Sequence, residues 1–481
     1  MSPYNWPLWW RLVVLFNVSF YNLLGNAWAA GISPIFELII REFNCSQSQA
    51  SDLTTFSLLM LGISNVFALP LVAIFGKRYT ILASLTIFIV FNIWSGEASD
   101  YESLRISRIL GGLAGGLVEA LGPTIVHETF RDHQLARAMA VYVGCLAAGS
   151  AVGPIFSGIV AQHQGSWRWY LRILSIATSL NLLASILMLP ETTHKPEPTN
   201  DSGSDPGTSD PKATSSIVEN AQATLPPPSP ETTVSSRAEW ISLSFTKRPM
   251  PLEWNRAFPA FFEPLQMLIV PQVLVTVYVF GLTIGWTVII AILLGMTYAQ
   301  PPLLWGPQSI GLLNVAPLLG LLIGLPFGGY LSDLLYIRSA KDGRGPSPAS
   351  RLPVALLGML ISPSGCLVLG YGLKHPDTWI QVCVGWGMLA FGLTASANVL
   401  LSYAVNTIPA RAGDIGVLVN VLKNTVGFGV SYASLPWMNE VGPVKQFATM
   451  AALLWAGYLM VFPVWWHSKT LFKRSYTNSL A

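Results

Sequence analysis

Long apolar runs dominate this chain, and polar residues gather in the short gaps between them. A helix needs about 20 apolar residues to cross the hydrocarbon core of a bilayer. Runs of that length lie at 12–33, 51–75, 80–97, 104–126, 138–162 and 169–189. A second set follows at 268–298, 308–332, 353–373, 379–401, 415–437 and 446–466. Many of these runs contain Gly and Pro, which break isolated helices in water. Inside a bundle, neighbouring helices re-satisfy the freed backbone, and small residues allow close approach. The pattern predicts an all-α membrane protein with twelve transmembrane helices.

Between the sixth and seventh runs the polymer changes character. Residues 194–235 are rich in Ser, Thr, Pro, Asp and Gly with no apolar period. Such a segment cannot bury a core and is expected to be disordered. The chain therefore divides into an N-terminus at 1–11, a six-helix half at 12–193 and a disorder-rich linker at 194–260. A second six-helix half at 261–466 and a tail at 467–481 complete it. Two six-helix halves fit the internal repeat of several transporter folds.

Composition strengthens this picture. Apolar residues make up 52% of the chain and charged residues 11%, against about 25% charged in soluble domains. Several soluble domains could not be covered with so few charges. The net charge of +3 gives no nucleic-acid footprint. The first run is too long for a signal-peptide core and lacks a small-residue exit. Trp6, Trp9 and Trp10 sit at its start, where an interfacial aromatic belt belongs. Cys45, Cys145, Cys366 and Cys383 are too scattered for a disulfide framework or a zinc site.

Lys and Arg set the orientation. Only Arg41, Arg168, Arg172, Lys374 and Lys445 fall on the side away from the N-terminus. Arg105, Arg108 and Lys423 lie at or within spans, and the other basic residues share the N-terminal side. Both termini are thus expected to be cytoplasmic, in the cell membrane or an internal membrane. Asn44-Cys45-Ser46 is a glycosylation sequon in the first outer loop. Asn17-Val18-Ser19 lies inside a span and is expected to be unreachable.

Charges inside spans are the most informative residues. Each costs about 2.5–3.5 kcal/mol at a helix centre, so a resident charge has a partner or a task. Arg108 and Glu119 share the fourth run, and their spacing of almost three turns puts them on one face. Glu37, Asp52 and Asp333 lie near span ends, whereas Glu119 lies deep. A carboxyl balanced between burial and a nearby cation can take up and release a proton. A fixed salt bridge or a helix-packing contact is the alternative. Lys423, followed by Asn424, sits well inside the eleventh run. It either pairs with an acid or faces a substrate cavity.

The chain resembles the major facilitator superfamily, and within it the fungal twelve-span drug:proton antiporters of the cycloheximide- and polyamine-resistance type. Leu104-x-x-x-Arg108, then Gly112 and Gly115-Gly116, resembles the family's span-four signature, whose arginine is implicated in proton coupling. Gly149, Gly153, Pro154 and Gly158 resemble the span-five antiporter signature. Physically these residues permit close helix contact and a bend. Phe75-Gly76-Lys77-Arg78 and Gly329-Tyr330-Leu331-Ser332-Asp333 resemble the two cytoplasmic loops that latch the inward side in the family. Trp167-Arg168-Trp169, Pro190-Glu191-Thr192-Thr193 and Lys423-Asn424 also resemble the fungal relatives.

The departures are specific. Ala73 and Leu69 replace the acid and glycine of the first-half loop, and Leu135-Ala136 replaces a basic-glycine pair after His133. Glu128 stands for the acid before that histidine, and Asn406 stands where span ten is expected to carry an acid. The first-half latch is accordingly expected to be weaker than in the family.

Polar and aromatic residues inside spans give a candidate cavity set. They are Asn22 and Asn26, one turn apart, with Gln272, Tyr278, Trp286, Asn314, Asn398, Tyr403, Lys423 and Asn424. Taken singly, each suits interhelical packing; as a set they suit an amphipathic pocket.

No phosphate loop, G-x-S-x-G turn or His/Cys metal spacing is present in the sequence. An enzyme, a cofactor or a metal centre is therefore not expected. The expected partners are a small-molecule substrate, protons and the bilayer, with the monomer as the working unit. The favoured function is export of a small organic compound by proton antiport and alternating access. Proton-coupled uptake of a nutrient or polyamine-like cation is the alternative, followed by a non-transporting sensor on a transporter body.

Overall fold

The computed structural model describes residues 6–190, 257–341, 347–375 and 377–468. The linker expected at 194–260 lies outside these up to residue 256, as do Glu191–Thr193 and the tail beyond 468.

The first half is built from α1 (Leu8–Ala30), α2 (Phe36–Phe43), α3 (Gln47–Phe75), α4 (Lys77–Gly96), α5 (Tyr101–Gly115), α6 (Leu117–Thr129), α7 (Asp132–Gln164) and α8 (Arg168–Met188). Local chemistry sets several ends. Ser46 and Gln49 form a capping box at the start of α3, and Asp100 caps α5 through the Ser103 amide. Gly76, at φ 81°, makes the sharp turn between α3 and α4 in a backbone region that favours glycine.

The second half starts earlier than the apolar run suggested. A short helix, α9 (Pro259–Gln266), crosses the expected boundary at 260/261 between linker and second half and precedes α10 (Pro271–Ala299). Then come α11 (Pro307–Leu312), α12 (Val315–Leu325), α13 (Ser332–Lys341), α14 (Leu352–Lys374), α15 (Trp379–Gly392), α16 (Asn398–Thr407), α17 (Ala412–Val441), α18 (Pro443–Leu459) and α19 (Val461–Trp466). Single π turns at Pro326–Leu331 and Leu393–Ala397 interrupt two of the spans.

Among the described residues, eleven helical stretches are long and apolar enough to cross a membrane. The twelfth span is α17. Its 30 residues reach about 45 Å at 1.5 Å per residue. Asp414, Asn420, Lys423 and Asn424 interrupt its apolar run. The observed architecture is twelve transmembrane helices in two halves.

The halves meet along two seams: α3 and α6 against α17, and α7 against α11, α12 and the adjoining π turn. Both seams are closed at both faces. At the face where α1 begins, here called the N-terminal face, a Cβ on Gly413 would meet Leu69 at 3.0 Å. At the opposite face, the Phe56 and Phe428 rings lie 5.9 Å apart, and a Cβ on Gly158 would meet Pro307 O at 2.4 Å.

Candidate functional site: a cross-half ion pair

The fourth span bends at Gly116, between α5 and α6. A Cβ there would lie 2.1 Å from Ser64 Oγ and 2.5 Å from Leu61 O, so glycine lets this span settle onto α3. That contact carries Glu119, in the first turn of α6, to the middle of the molecule.

Glu119 is fully buried, and its carboxylate is shared between the halves. Lys423 Nζ donates to Oε1 at 2.6 Å and Asn424 Nδ2 donates to Oε2 at 2.8 Å, both from α17. From the first half, Asn26 Nδ2 donates to Oε1 at 2.9 Å and Asn65 Nδ2 donates to Oε2 at 3.3 Å. The backbone carbonyl of Glu119 accepts from Asn420 Nδ2 at 2.7 Å and Tyr142 OH at 2.8 Å. Asn22 supports Asn26 from one turn below, its Oδ1 accepting at 3.2 Å. Four donors satisfy the carboxylate as an anion, and Lys423 is 2% exposed with Glu119 as its carboxylate partner. An ion pair this deep holds only with such supplementary bonds. Removing one partner of a buried pair costs about 3–5 kcal/mol.

Arg108 shares a face with Glu119, as the helical spacing predicts, but binds elsewhere. Its Nη2 donates to Trp28 O at 2.9 Å and Ala29 O at 3.0 Å, and its Nε donates to Leu53 O at 3.1 Å. The guanidinium also lies 4.3 Å from the Trp28 ring centre. It therefore ties α5 to the ends of α1 and α3 nearer the opposite face. Eleven residues of helix separate it from Glu119 by about 16 Å. At that range the Coulomb interaction is about 1 kcal/mol even at an effective dielectric constant of 20. Lys423, in direct contact, is the stronger influence on Glu119.

The other candidate cavity residues do not gather here. Tyr278 donates through its OH to Leu453 O on α18 at 3.2 Å. Trp286 and Tyr403 lie in two separate apolar clusters of the second half. Asn314 donates to Gly311 O at 3.2 Å, at the break between α11 and α12. Asn398 donates to Gly328 O at 3.3 Å, and Gln272 is buried near the start of α10. These residues lie at several depths of the second half, and the Gln272 amide and the Trp286 indole N–H are buried without a hydrogen-bond partner. Only Asn22, Asn26, Lys423 and Asn424 meet around Glu119. Asn65 and Asn420 escaped the sequence reading. The spacing of Asn420 and Asn424, one turn apart and flanking Lys423, was a usable signal for one of them.

A family model described as Major Facilitator Superfamily matches residues 15–432. The chain belongs to the Major Facilitator Superfamily. It is accordingly a secondary transporter and a multi-pass membrane protein. Curated relatives include "Probable efflux pump mfs2" of Aspergillus flavus, 25% identical over 85% of this chain and 91% of that protein. "MFS antiporter QDR3" of Candida albicans is 20% identical over 94% of this chain and 77% of its own. "Protein HOL1" of Saccharomyces cerevisiae is 22% identical over 100% of this chain and 90% of its own. In architecture the transporter matches the proton:xylose symporter XylE, with a TM-score of 0.64 and 16% identity over 95% of this chain and 96% of that one.

The remaining family motifs of this superfamily member sit partly on the seams and partly within the first half. Gly149 and Gly153 pack on α1, where a Cβ would meet Leu23 O at 2.4 Å and Ala27 O at 2.6 Å. Gly158 packs on α11, and Pro154 O lies 2.6 Å from where a Cβ on Gly311 would stand. The span-five signature is therefore a two-sided packing edge. At the N-terminal face, Asp333 Oδ2 accepts from the Arg137 amide at 3.0 Å, and Oδ1 accepts from the Ala136 amide and from Arg351 Nη2, each at 3.2 Å. Arg351 Nη2 also donates to Asp132 O at 2.6 Å. Gly329 lies against α7, a Cβ there standing 3.2 Å from Ala140 Cβ. The second-half loop thus crosses between halves. After Gly76, Lys77 pairs with Glu128, and Arg78 Nη2 donates to Ile186 O at 2.9 Å, bonds that lie inside the first half. Asn44 is exposed between α2 and α3, whereas Asn17 is buried and accepts from Ser185 Oγ at 2.8 Å.

Proposed function

We propose that this transporter exports a small organic compound in exchange for protons, with Glu119 as the proton-carrying group. The observation that carries this is the Glu119–Lys423 pair, a titratable tie between the two halves. As a carboxylate, Glu119 holds the Lys423 ammonium and the Asn424 amide of α17. A proton on the carboxyl removes the ion pair and leaves an acid that must donate as well as accept. Lys423 is then buried without its counter-charge, a condition relieved only by hydration or separation of the seam. Proton uptake thus favours opening, and proton release favours the closed form.

The direction rests on three supports. The span-five signature resembles that of exporters. Two relatives are named an efflux pump and an antiporter. Lys77, Arg78, Arg137 and Arg351 crowd the N-terminal face, which under the positive-inside rule supports a cytoplasmic assignment for that face. The cell membrane is the natural site for such export. The substrate class we favour is a secondary metabolite, toxin or xenobiotic, in keeping with the efflux-pump relative, and the exposed Asn44 sequon supports a glycan on the outer side.

The test begins with a deletion strain screened against a toxin panel to find a compound. That compound is then offered to inside-out vesicles with an acidic lumen. Uptake into the lumen that collapses with the pH gradient is the expected result. Proton-driven uptake into right-side-out vesicles instead overturns export.

A further inference from the structure

The short helix α9 lies across the α3–α17 seam and touches both halves. Phe261 meets Phe67 of α3 edge-to-face, with ring centres 5.5 Å apart and planes at 89°. Toward the second half the attachment is polar. Arg411, at the turn before α17, donates from Nη2 to Gln266 Oε1 at 3.1 Å and lies 3.9 Å from Glu263 Oε2. Asp414 Oδ2, 2.9 Å from Arg411 Nε, holds the guanidinium in place. A single turn, Met267–Ile269, joins α9 directly to α10. The helix is therefore bound to the second half by covalent chain, by packing on α17 and by charge, and to the first half by packing on α3 alone, with Phe261 on Phe67 at its centre.

We propose that α9 is a strap that holds the seam shut at the N-terminal face and releases α3 when that face opens. The packing beneath it supports release. A cavity of about 380 Å³ lies between α9 and the seam, lined by Val66, Val417, Leu418 and Val421 on one side and by α9 side chains including Phe261 and Leu265 on the other. A segment that filled this space would be a permanent part of the wall. No ion pair or hydrogen bond between α9 and α3 is seen among the described residues, and the Phe261–Phe67 contact breaks without stranding a charge. The seat also lies just behind the ion pair, since Val66 follows Asn65 and Val421 follows Asn420, both of which bond to Glu119. Parting Phe261 from Phe67 and parting α17 from Glu119 are movements of the same seam. The strap rests on the two-half fold and is independent of substrate, direction and proton coupling.

The experiment measures the distance across the N-terminal face of the purified full chain in nanodiscs. Spin labels are placed on Phe75→Cys and Ala410→Cys, with Cys45, Cys145, Cys366 and Cys383 replaced. Both label positions are exposed. With the loss of an aromatic pair, Phe261→Ala is expected to raise the population at long distance about three- to ten-fold. Ile269→Ala, on an exposed side chain of the turn that follows α9, is expected to leave it unchanged. A short thiol-reactive bridge between Phe67→Cys and Phe261→Cys is expected to abolish the long-distance population, and its reduction to restore it. Unchanged distances in Phe261→Ala, or a long-distance population that survives the bridge, overturn the strap.

Discussion

The Lys423 ammonium lies 2.6 Å from Glu119 Oε1 across the plane that divides the two halves. Each residue is buried, and each belongs to a different half. Their attraction therefore acts on the relative position of the halves and not on the stability of either one alone. Glu119 is also held by amides from both sides, Asn26 and Asn65 from its own half and Asn424 from the other.

Removing Lys423 alone leaves Glu119 as a buried anion with only amide donors. Lys423→Met is expected to lower stability by about 3–5 kcal/mol, the cost of breaking a buried pair. Adding Glu119→Gln to Lys423→Met is expected to recover most of that loss, because the stranded charge is gone. Thermal unfolding of the four proteins of this cycle in detergent checks it. Additive losses in the double variant would mean that the two side chains act independently.

Arg108 is expected to be a structural anchor. Lys cannot reproduce three carbonyl contacts and the stacking on Trp28, since its ammonium is a point charge on a flexible stem. Arg108→Lys is expected to cost about 2–4 kcal/mol, at about 1.5–3 kcal/mol per charged hydrogen bond lost. Melting temperatures of Arg108→Lys and wild type settle it, and equal values contradict the anchor.

Gly158 sets how tightly the opposite face closes. A Cβ there would stand 2.4 Å from Pro307 O, closer than real contacts allow. Gly158→Leu is expected to wedge α7 from α11 by an overpacking cost of about 1–3 kcal/mol. Thiol labelling of a cysteine introduced in that seam is expected to rise about five- to 100-fold. Unchanged labelling contradicts the assignment of this seam as the closure.

Asp333 joins the halves at the N-terminal face through the backbone amides of Ala136 and Arg137 and through Arg351. Asp333→Asn keeps the shape but removes the charge. It is expected to weaken closure of that face about ten-fold or more, by roughly the 1.5–3 kcal/mol of a charged hydrogen bond. The same spin-label distance between positions 75 and 410 reads it out, with a shift to longer distance expected.

Much of the architecture was legible in the chain because a bilayer imposes one rule on every span. Length and hydropathy placed even α17, whose apolar run is broken by Lys423 and asparagines. The ends were less legible. The helix α9 hides in a stretch of Pro and Phe across the boundary between linker and second half, too short to show a period. The site was partly legible. Glu119 and Lys423 stand out because buried charge is expensive, yet nothing in the sequence said that they meet, since helix pairing across the seam is set by packing. Arg108 was visible for the same reason, but its partners are backbone carbonyls, which every residue carries and no pattern reveals. The roles of Tyr278, Trp286 and Tyr403 were not legible, because an aromatic ring in a span packs in the same way whether or not it faces a substrate.

The most direct test of the central claim uses proteoliposomes containing wild type or Glu119→Gln, and the compound identified by the toxin panel. Two fluxes are measured: accumulation driven by a pH gradient, and counterflow exchange without one. The account predicts that Glu119→Gln loses gradient-driven accumulation at least ten-fold while exchange persists. Gradient-driven accumulation at the wild-type level in Glu119→Gln contradicts it.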